Sequence, residues 1–381
     1  MSEFGGRSLA SHILRLTIEQ MKNILLAIAA IAVTSAQCYA FSLNGYYEND
    51  IVSILKPDGQ TLAGDLSRIR LKFDAKPLEN IAVHIEPKYY FFIKDQNIPI
   101  AGATCLDQTV LDRAYVKYYG PMNLTVGKQR IAWGSGYIWN PTDAFNPFVM
   151  SFAVKEDEET NVTAARAELP MGQAGGIDGF VVLDQKWETA TKGIRAKTNV
   201  GLFDLSASFV DTGSGSSLIG FDFAGDALGA GIRGEAALKS PMGLSNYVQA
   251  ILGGDYTLDN GVNINLEYYY NGAGTQDKNM YNWTGLYSGA INQLGRDYLF
   301  IGANKIINEL ATGKISMIAN LNDQSFLVYP SYTRSISQYV DLSFEGMVTA
   351  GTEGSEFKPG TKDTSGFGGS NLAMMRLIYN F

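Results

Sequence analysis

The sequence predicts a closed, all-antiparallel β-barrel that crosses a membrane. We expect about eighteen strands, with about sixteen as the alternative, because boundaries read from a pattern shift by two to four residues. Three observations lead to this prediction. Apolar and polar residues alternate with a period of two in many segments. The chain carries an export signal near its start, and short and long connections follow one another in turn.

The export signal is the stretch MKNILLAIAAIAVTSAQCYA, residues 21–40. It has a charged start, an apolar run and a small-residue exit, which is typical of a secretory signal peptide cleaved after Ala40. We interpret residues 1–20 as a misread start or as residues added by cloning. Residues 41–381 then form a single barrel domain. No later run reaches the roughly 18 apolar residues that a membrane-spanning helix needs.

Composition excludes several function classes. Removing residues 1–40 removes three basic and two acidic residues, so the net charge moves from -8 to -9. An acidic chain is unsuited to nucleic acid, which requires a basic surface. His84 is then the only histidine and Cys105 the only cysteine, too few for a metal site. His84 has no GxSxG-like serine near it to activate. We therefore expect no metal, no cofactor and no enzymatic activity.

The connections alternate in length. In an up-and-down barrel of this kind, short turns face the periplasm and long loops face the outside, and the strand number is even. The aromatic residues, 21 Tyr and 19 Phe, suit girdles at the two membrane boundaries. Short connections are predicted at 119–122, 170–172, 199–201, 225–226, 258–261 and 308–313. Long connections are predicted at 93–110, 132–160, 271–296 and 350–370.

The chain ends in MMRLIYNF, an alternating stretch with Leu377, Tyr379 and Phe381 on one face. This ending resembles the C-terminal signature of bacterial outer-membrane β-barrels. The resemblance implies a location in the bacterial outer membrane, contact with its lipid and lipopolysaccharide, and recognition by the barrel-assembly machinery. In a closed barrel such a last strand pairs with the first and leaves no edge.

Charged residues occupy the inward positions of the predicted strands, because the outward face must be apolar. These charges are mainly basic in the first half of the chain and mainly acidic in the second. We expect a water-filled lumen with a basic and an acidic wall, a transverse field like that of general porins. The alternative is pairing across neighbouring strands, Arg70 with Glu86 for instance. The predicted basic wall is Arg68, Arg70, Lys72, Lys88, Arg113, Lys117, Arg166, Arg195 and Lys197. The predicted acidic wall is Asp204, Asp222, Glu235, Asp255, Glu267, Asp341 and Glu345.

The densest motif is GKQRIAWGSGYIWNPTDAFNPF, residues 127–148. Its two Asn-Pro steps prevent regular ladder pairing, and its glycines permit sharp bends. We predict that this segment folds back into the barrel and narrows it. The predicted constriction residues are Trp133, Gly134, Gly136, Tyr137, Trp139, Asn140, Pro141, Asp143, Asn146 and Pro147.

The same block resembles a segment of several porin-like outer-membrane families of unassigned substrate, some related to polysaccharide-export channels. We therefore predict a porin, a passive channel for small polar or charged solutes. General porins are often trimers, which makes a homotrimer one predicted assembly. Trp133, Tyr137 and Trp139 could stack on sugar rings and favour carbohydrates, or could simply pack against the wall. The alternative function is a barrel anchor whose loops bind or export surface polysaccharide.

Overall fold

A computed structural model describes residues 40–92, 107–146, 160–172, 175–183, 185–187, 189–213, 215–362 and 368–381. The predicted signal peptide and the residues before it lie outside this range, apart from Ala40. Their assignment remains a prediction.

The described residues form eighteen strands in one sheet. The strands are β1 Ala40–Leu55, β2 Thr61–Leu78, β3 Ile81–Phe91, β4 Asp107–Tyr118, β5 Asn123–Arg130, β6 Asn161–Met171, β7 Gly175–Val182, β8 Lys192–Val200, β9 Phe203–Asp211, β10 Ser217–Ala227, β11 Ala230–Ser240, β12 Tyr247–Thr257, β13 Val262–Asn271, β14 Asp297–Asn308, β15 Ala311–Asn320, β16 Ser325–Ser337, β17 Val340–Ala350 and β18 Asn371–Asn380.

The sheet closes on itself. Each strand pairs antiparallel with its sequence neighbours, and β1 pairs with both β2 and β18. The closing seam extends to the last residue: Gly45 N donates to Phe381 O at 2.9 Å and Phe381 N donates to Gly45 O at 3.0 Å. Closure leaves no unpaired edge, which satisfies the backbone groups without water. The predicted eighteen-strand antiparallel barrel is confirmed.

The connections have the predicted alternation. Even-numbered strands lead into short turns at one end of the barrel, and odd-numbered strands lead into the longer connections at the other. The turn expected at 225–226 was wrong by about three residues. Gly225 and Asp226 lie inside β10, and the hairpin turns at Leu228 and Gly229, which both have positive φ. A two-residue turn of this kind matches the twist of the strands it joins.

Among the described residues, helical structure is confined to the long connections. There are a short helix, α1 (Trp283–Tyr287), and two 3-10 turns, Lys278–Met280 and Gly360–Lys362. Within the described ranges, no helix combines the length and the apolar character needed to cross a membrane.

The two faces of the sheet differ in character. On β13, Leu266 and Tyr268 point outward and are 50% and 38% exposed, whereas Glu267 between them is 1% exposed. Apolar side chains are exposed in the same way on many other strands, including Ile219 and Phe344. An apolar outer surface of this extent marks contact with lipid. The inner face is where the charged side chains lie.

Gly45, which bonds to Phe381 at the closing seam, gives a test of closure. A Cβ added at Gly45 would lie 2.3 Å from Arg70 O and 3.2 Å from the Phe381 ring. We expect Gly45→Ala to lower the free energy of unfolding by about 1–3 kcal/mol, because this backbone cannot yield without opening the seam. Thermal unfolding in detergent, followed by the mobility shift of the folded barrel on gels, measures it. Gly179→Ala is the control, since its Cβ would meet only Gly193 O at 3.6 Å; an equal loss in both variants would contradict the prediction.

Candidate functional site: the lumen and its inserted loop

After β5 the chain leaves the sheet and enters the barrel. Residues 131–146 pack against the inner face of the sheet. Trp133 and Phe145 contact Phe180 of β7, and the amides of residues 135–139 and 142 bond to side chains at mid-height of β11 and β13. The predicted insertion of this segment is therefore seen for residues 131–146. Pro147 and the rest of the predicted loop up to residue 159 lie outside the described residues.

Two carboxylates fix this loop, each by several hydrogen bonds, and we call each such group of bonds a clamp. The first clamp is formed by Glu267 of β13. Its Oε2 accepts Tyr137 N at 2.6 Å, and its Oε1 accepts Ile138 N at 3.0 Å and Trp139 N at 2.9 Å. These amides have left the ladder and need acceptors, because a buried unpaired N–H is costly. One carboxylate therefore fixes three consecutive residues of the loop.

Glu235 of β11 forms the second clamp. Its Oε1 accepts Gly136 N at 2.7 Å and also binds Ser135 N, while its Oε2 accepts Thr142 N at 3.1 Å and Thr142 Oγ1 at 2.9 Å. The carboxylate thus ties together both limbs of the bend. Charge-assisted hydrogen bonds of this kind are roughly twice as strong as neutral ones.

Two glycines make the close approach feasible. Gly134 has φ +119, and a Cβ there would lie 2.6 Å from Glu235 Oε1. A Cβ at Gly136 would lie 1.8 Å from Trp139 O. The bend therefore needs glycine at both positions, as the sequence pattern indicated.

The loop aromatics pack against the wall. The Trp133 ring lies on Phe180, and its Nε1 donates to Asp178 Oδ2 at 3.0 Å. The Trp139 ring stacks on Tyr269 at 5.1 Å between centroids. Trp133 and Trp139 are both buried, so of the two interpretations offered for them, the structure shows packing. Tyr137 is half-buried, with its ring tilted on Phe300.

The remaining loop residues stabilise its turns. Asn140 O accepts Asp143 N at 3.0 Å, and Asp143 Oδ1 accepts Phe145 N at 2.8 Å and Asn146 N at 3.0 Å. The Asn146 side chain in turn donates to Asp143. Pro141 is buried and has no amide hydrogen to satisfy. These local bonds give the loop a defined shape where it leaves the two clamps.

A ladder of ion pairs runs over the inner face across the closing seam. Arg376 of β18 binds Asp50 of β1 at 2.6 Å and Glu345 of β17 at 3.3 Å. Arg68 of β2 pairs with Glu48 of β1. Across this seam, charges of opposite sign come from adjacent strands.

The ladder continues from β2 to β4. Arg70 pairs with Glu86 of β3 and lies 3.3 Å from Asp112 of β4, and Lys88 binds Asp112 at 3.0 Å. Arg70 is 0% exposed. The cross-strand pairing weighed above, Arg70 with Glu86, is therefore present. Because both partners are buried, removing one would leave an uncompensated charge.

Asp112 was missed in the sequence because it sits at a β-bulge. Glu86 faces Arg113 and Pro87 faces Leu111, so the register skips Asp112. The extra residue turns Asp112 to the same side as Arg113. Strict alternation would have placed it outward with Val116. The bulge supplies the acid that Arg70 and Lys88 share.

Most of the other predicted wall residues also have partners, some charged and some neutral. Arg113 donates to Asn161, Lys117 to Glu168, Arg166 to Asp178, Arg195 to Asp222, and Arg233 to Asp255. Asp204 accepts from Asn199, and Asp341 accepts from Ser335. Glu48, Asp50, Asp112 and Asp178 thus add acids to the half of the barrel predicted to be basic. Basic and acidic side chains therefore contact one another around the barrel and are not separated into two walls.

Exposure of the inner charges changes along the barrel. Lys197 and Asp204 lie next to the short turn between β8 and β9 and are exposed, while Asp255 and Asp341, also near short turns, are half-buried. Lys72, farther from the turn in β2, is half-buried as well. Charges at the level of the inserted loop, such as Arg70 and Glu267, are buried. Water-accessible charge therefore concentrates at the short-turn end.

His84 belongs to the ion-pair ladder. Its Nδ1 lies 2.7 Å from Asp74 Oδ1 and its Nε2 lies 3.0 Å from Glu86 Oε2. Both nitrogens face carboxylates, an arrangement that suits the imidazolium form. Among the described residues, no group of three or more His, Cys, Asp or Glu side chains is placed to hold a metal ion.

At the long-loop end, two connections join through a buried polar cluster. Glu356, in the connection between β17 and β18, accepts Leu294 N at 3.0 Å, Tyr298 Oη at 2.6 Å and Asn320 Nδ2 at 2.7 Å. Glu356 N donates to Asp323 Oδ2 at 2.7 Å. Burial raises the pKa of Glu356 to about 7, and the nearby Asp323 charge acts in the same direction.

No protein-family model matches the chain. No curated protein matches it either. Among solved structures it is similar to an engineered protein described under "Asymmetric conductivity of engineered proteins", at 13% identity and a TM-score of 0.49. It is similar at 12% identity and a TM-score of 0.49 to a triple mutant of the Rhodopseudomonas blastica porin. Both matches cover 90% of this chain and 100% of the other.

The clamp on the loop can be tested by hydrogen exchange. Glu267→Leu removes the acceptor of three loop amides, and each unmade bond costs about 1–3 kcal/mol. We expect amide exchange in residues 137–139 to become at least about tenfold faster while exchange in the strands is unchanged. Asp204→Asn is the matched control, because Asp204 binds Asn199 and not the loop. Unchanged loop exchange in Glu267→Leu would show that the clamp is not needed.

The Glu356 cluster should respond to pH. The pKa of Glu356 is raised from 4.5 to about 7 in the closed loop, so between these values the closed form binds more protons than an opened one. The stability of the closed loop should therefore fall as pH rises through this window. Exchange or limited proteolysis of residues 351–362 at pH 5 and pH 8 measures it. In Glu356→Gln the difference in loop stability between pH 5 and pH 8 should disappear. A difference of the same size in that variant would show that another titrating group causes it.

Proposed function

We propose that this chain is an outer-membrane porin, a water-filled channel that passes small polar or charged solutes by passive diffusion. The observation that carries this proposal is the double clamp, in which Glu235 and Glu267 hold residues 131–146 against the inner wall at mid-height. A loop fixed in this way narrows the lumen and leaves part of it open.

The barrel dimensions support an aqueous interior. Eighteen strands enclose a cross-section wider than side chains can fill, and barrels of sixteen to eighteen strands hold an aqueous channel. The exposed Lys197 and Asp204 are consistent with water at the short-turn end. The apolar outer face supplies the membrane contact that such a channel needs.

The arrangement of charge indicates what kind of selection such a channel performs. Arg and Lys side chains are matched with carboxylates of adjacent strands, as with Arg195 and Asp222 or Arg233 and Asp255. Paired charges present local dipoles more than a net field of one sign, which favours polar solutes over apolar ones. We infer weak ion selectivity and a size limit set by the loop.

The location and orientation belong to the same proposal. Short turns face the periplasm and long connections face the cell exterior, as in barrels of this type. Export through the signal peptide at residues 21–40 would bring the chain there. Assembly as a homotrimer and contact with lipopolysaccharide remain predictions of the resemblance. An anchor for surface polysaccharide is the competing function.

Planar-bilayer recording of residues 41–381 tests the proposal directly. We expect stable ohmic steps in the wild type and steps of severalfold larger conductance after deletion of residues 134–142, because the loop narrows the passage. Deletion of Gly243 and Leu244 is the control, since they lie in the connection between β11 and β12 outside the inserted loop. A folded barrel that does not conduct would contradict the channel and favour the anchor. Equal conductance of the wild type and the 134–142 deletion would contradict the constriction.

A further inference from the structure

A cavity of about 120 Å³ lies between the inserted loop and the long connection that follows β13. Trp139 and Pro141 of the loop form one side, and residues 290–293 form another. One water needs only about 10–15 Å³ in the same measure. The cavity therefore has room for several waters or for one small solute, on the long-loop side of the clamp.

The lining of this cavity includes three polar groups that no described protein group satisfies. Among the described residues, no hydrogen bond or ion pair reaches the Lys239 ammonium, and none reaches the Tyr247 hydroxyl. Gln293 Nε2 is buried without a hydrogen-bond partner there. Elsewhere on the inner face the basic side chains described above, such as Arg70 and Arg195, bind carboxylates directly. Gln293 Nε2 is thus a buried donor that needs an acceptor. The half-buried Lys239 and Tyr247 add two further donors that no described protein group engages, and the three together point to an acceptor-rich ligand.

The lining also indicates the charge of that ligand. Lys239 is the cation among the lining residues described, and no carboxylate lines the cavity. Asp143 and Glu235 act on Lys239 electrostatically, but neither forms an ion pair with it in the described structure. Desolvated ammonium groups gain most from a directly bound anion.

We infer that this cavity is a binding site for a small hydroxylated carboxylate, of which a sugar acid such as a hexuronate is the type. The carboxylate binds Lys239, and the hydroxyls accept from Tyr247 and Gln293. This inference deepens the proposed channel function, on which it rests, because the site lies where a solute approaching from the long-loop side meets the constriction.

Binding and conduction are measured separately, so that each can fail alone. Glucuronate and glucose, which share a ring but differ in charge, are titrated against the refolded protein by calorimetry. We expect saturable glucuronate binding at least about tenfold tighter than glucose binding, because only glucuronate offers a charged acceptor to the Lys239 ammonium. Lys239→Gln should remove the preference. Lys358→Gln, which removes a charge from an exposed residue at the same end, should keep it.

The outcomes separate the two proposals. Equal affinity for the two sugars, absence of binding, or a preference that survives in Lys239→Gln would overturn the site. If ohmic conductance is seen together with any of these results, the channel stands without the site. If Lys239→Gln fails to fold, Gln293→Leu replaces it and should weaken glucuronate binding by about tenfold; unchanged binding there would also overturn the site. Specific binding in a barrel that does not conduct would support the site and reject the channel.

Discussion

The rest of the lumen depends on one constraint, the need of loop amides for acceptors inside a barrel. Residues 135–139 and 142 leave the sheet, so their N–H groups lose the ladder partners and need other acceptors. Glu235 and Glu267 accept them from strands β11 and β13. Because these carboxylates are committed to the loop, they serve as structural anchors rather than as free charges of an acidic wall.

On the opposite side of the barrel, buried polar groups are also paired, but there the side chains pair with one another. There the side chains of β1 to β4, β17 and β18 satisfy one another through a ladder that includes Arg376, Arg70 and their carboxylate partners. Breaking a buried pair typically costs about 3–5 kcal/mol. The ladder ties the closing seam together from the inside while hydrogen bonds between Gly45 and Phe381 tie it in the sheet. Closure and charge placement are therefore linked.

These two arrangements divide the lumen by height. Near the short turns, charges such as Lys197 remain exposed, whereas at loop level the charges are buried in pairs or clamps. On the long-loop side, the cavity beside Trp139 keeps donors that the protein itself does not satisfy. A solute would thus meet three different chemical environments along one path.

The sequence by itself determined the antiparallel barrel and the rhythm of its turns, because a period of two and Gly or Pro punctuation are local properties. It predicted eighteen strands, with sixteen as the alternative, and the insertion of the loop. It also indicated the inward face of Arg70 and Glu267. Only the tertiary structure decided which inward charges stay exposed and which are paired, since this depends on what lies across the lumen. The bulge at Asp112 shows the reason most directly: one skipped residue in the register reverses a side chain, and no local pattern records the register of the neighbouring strand.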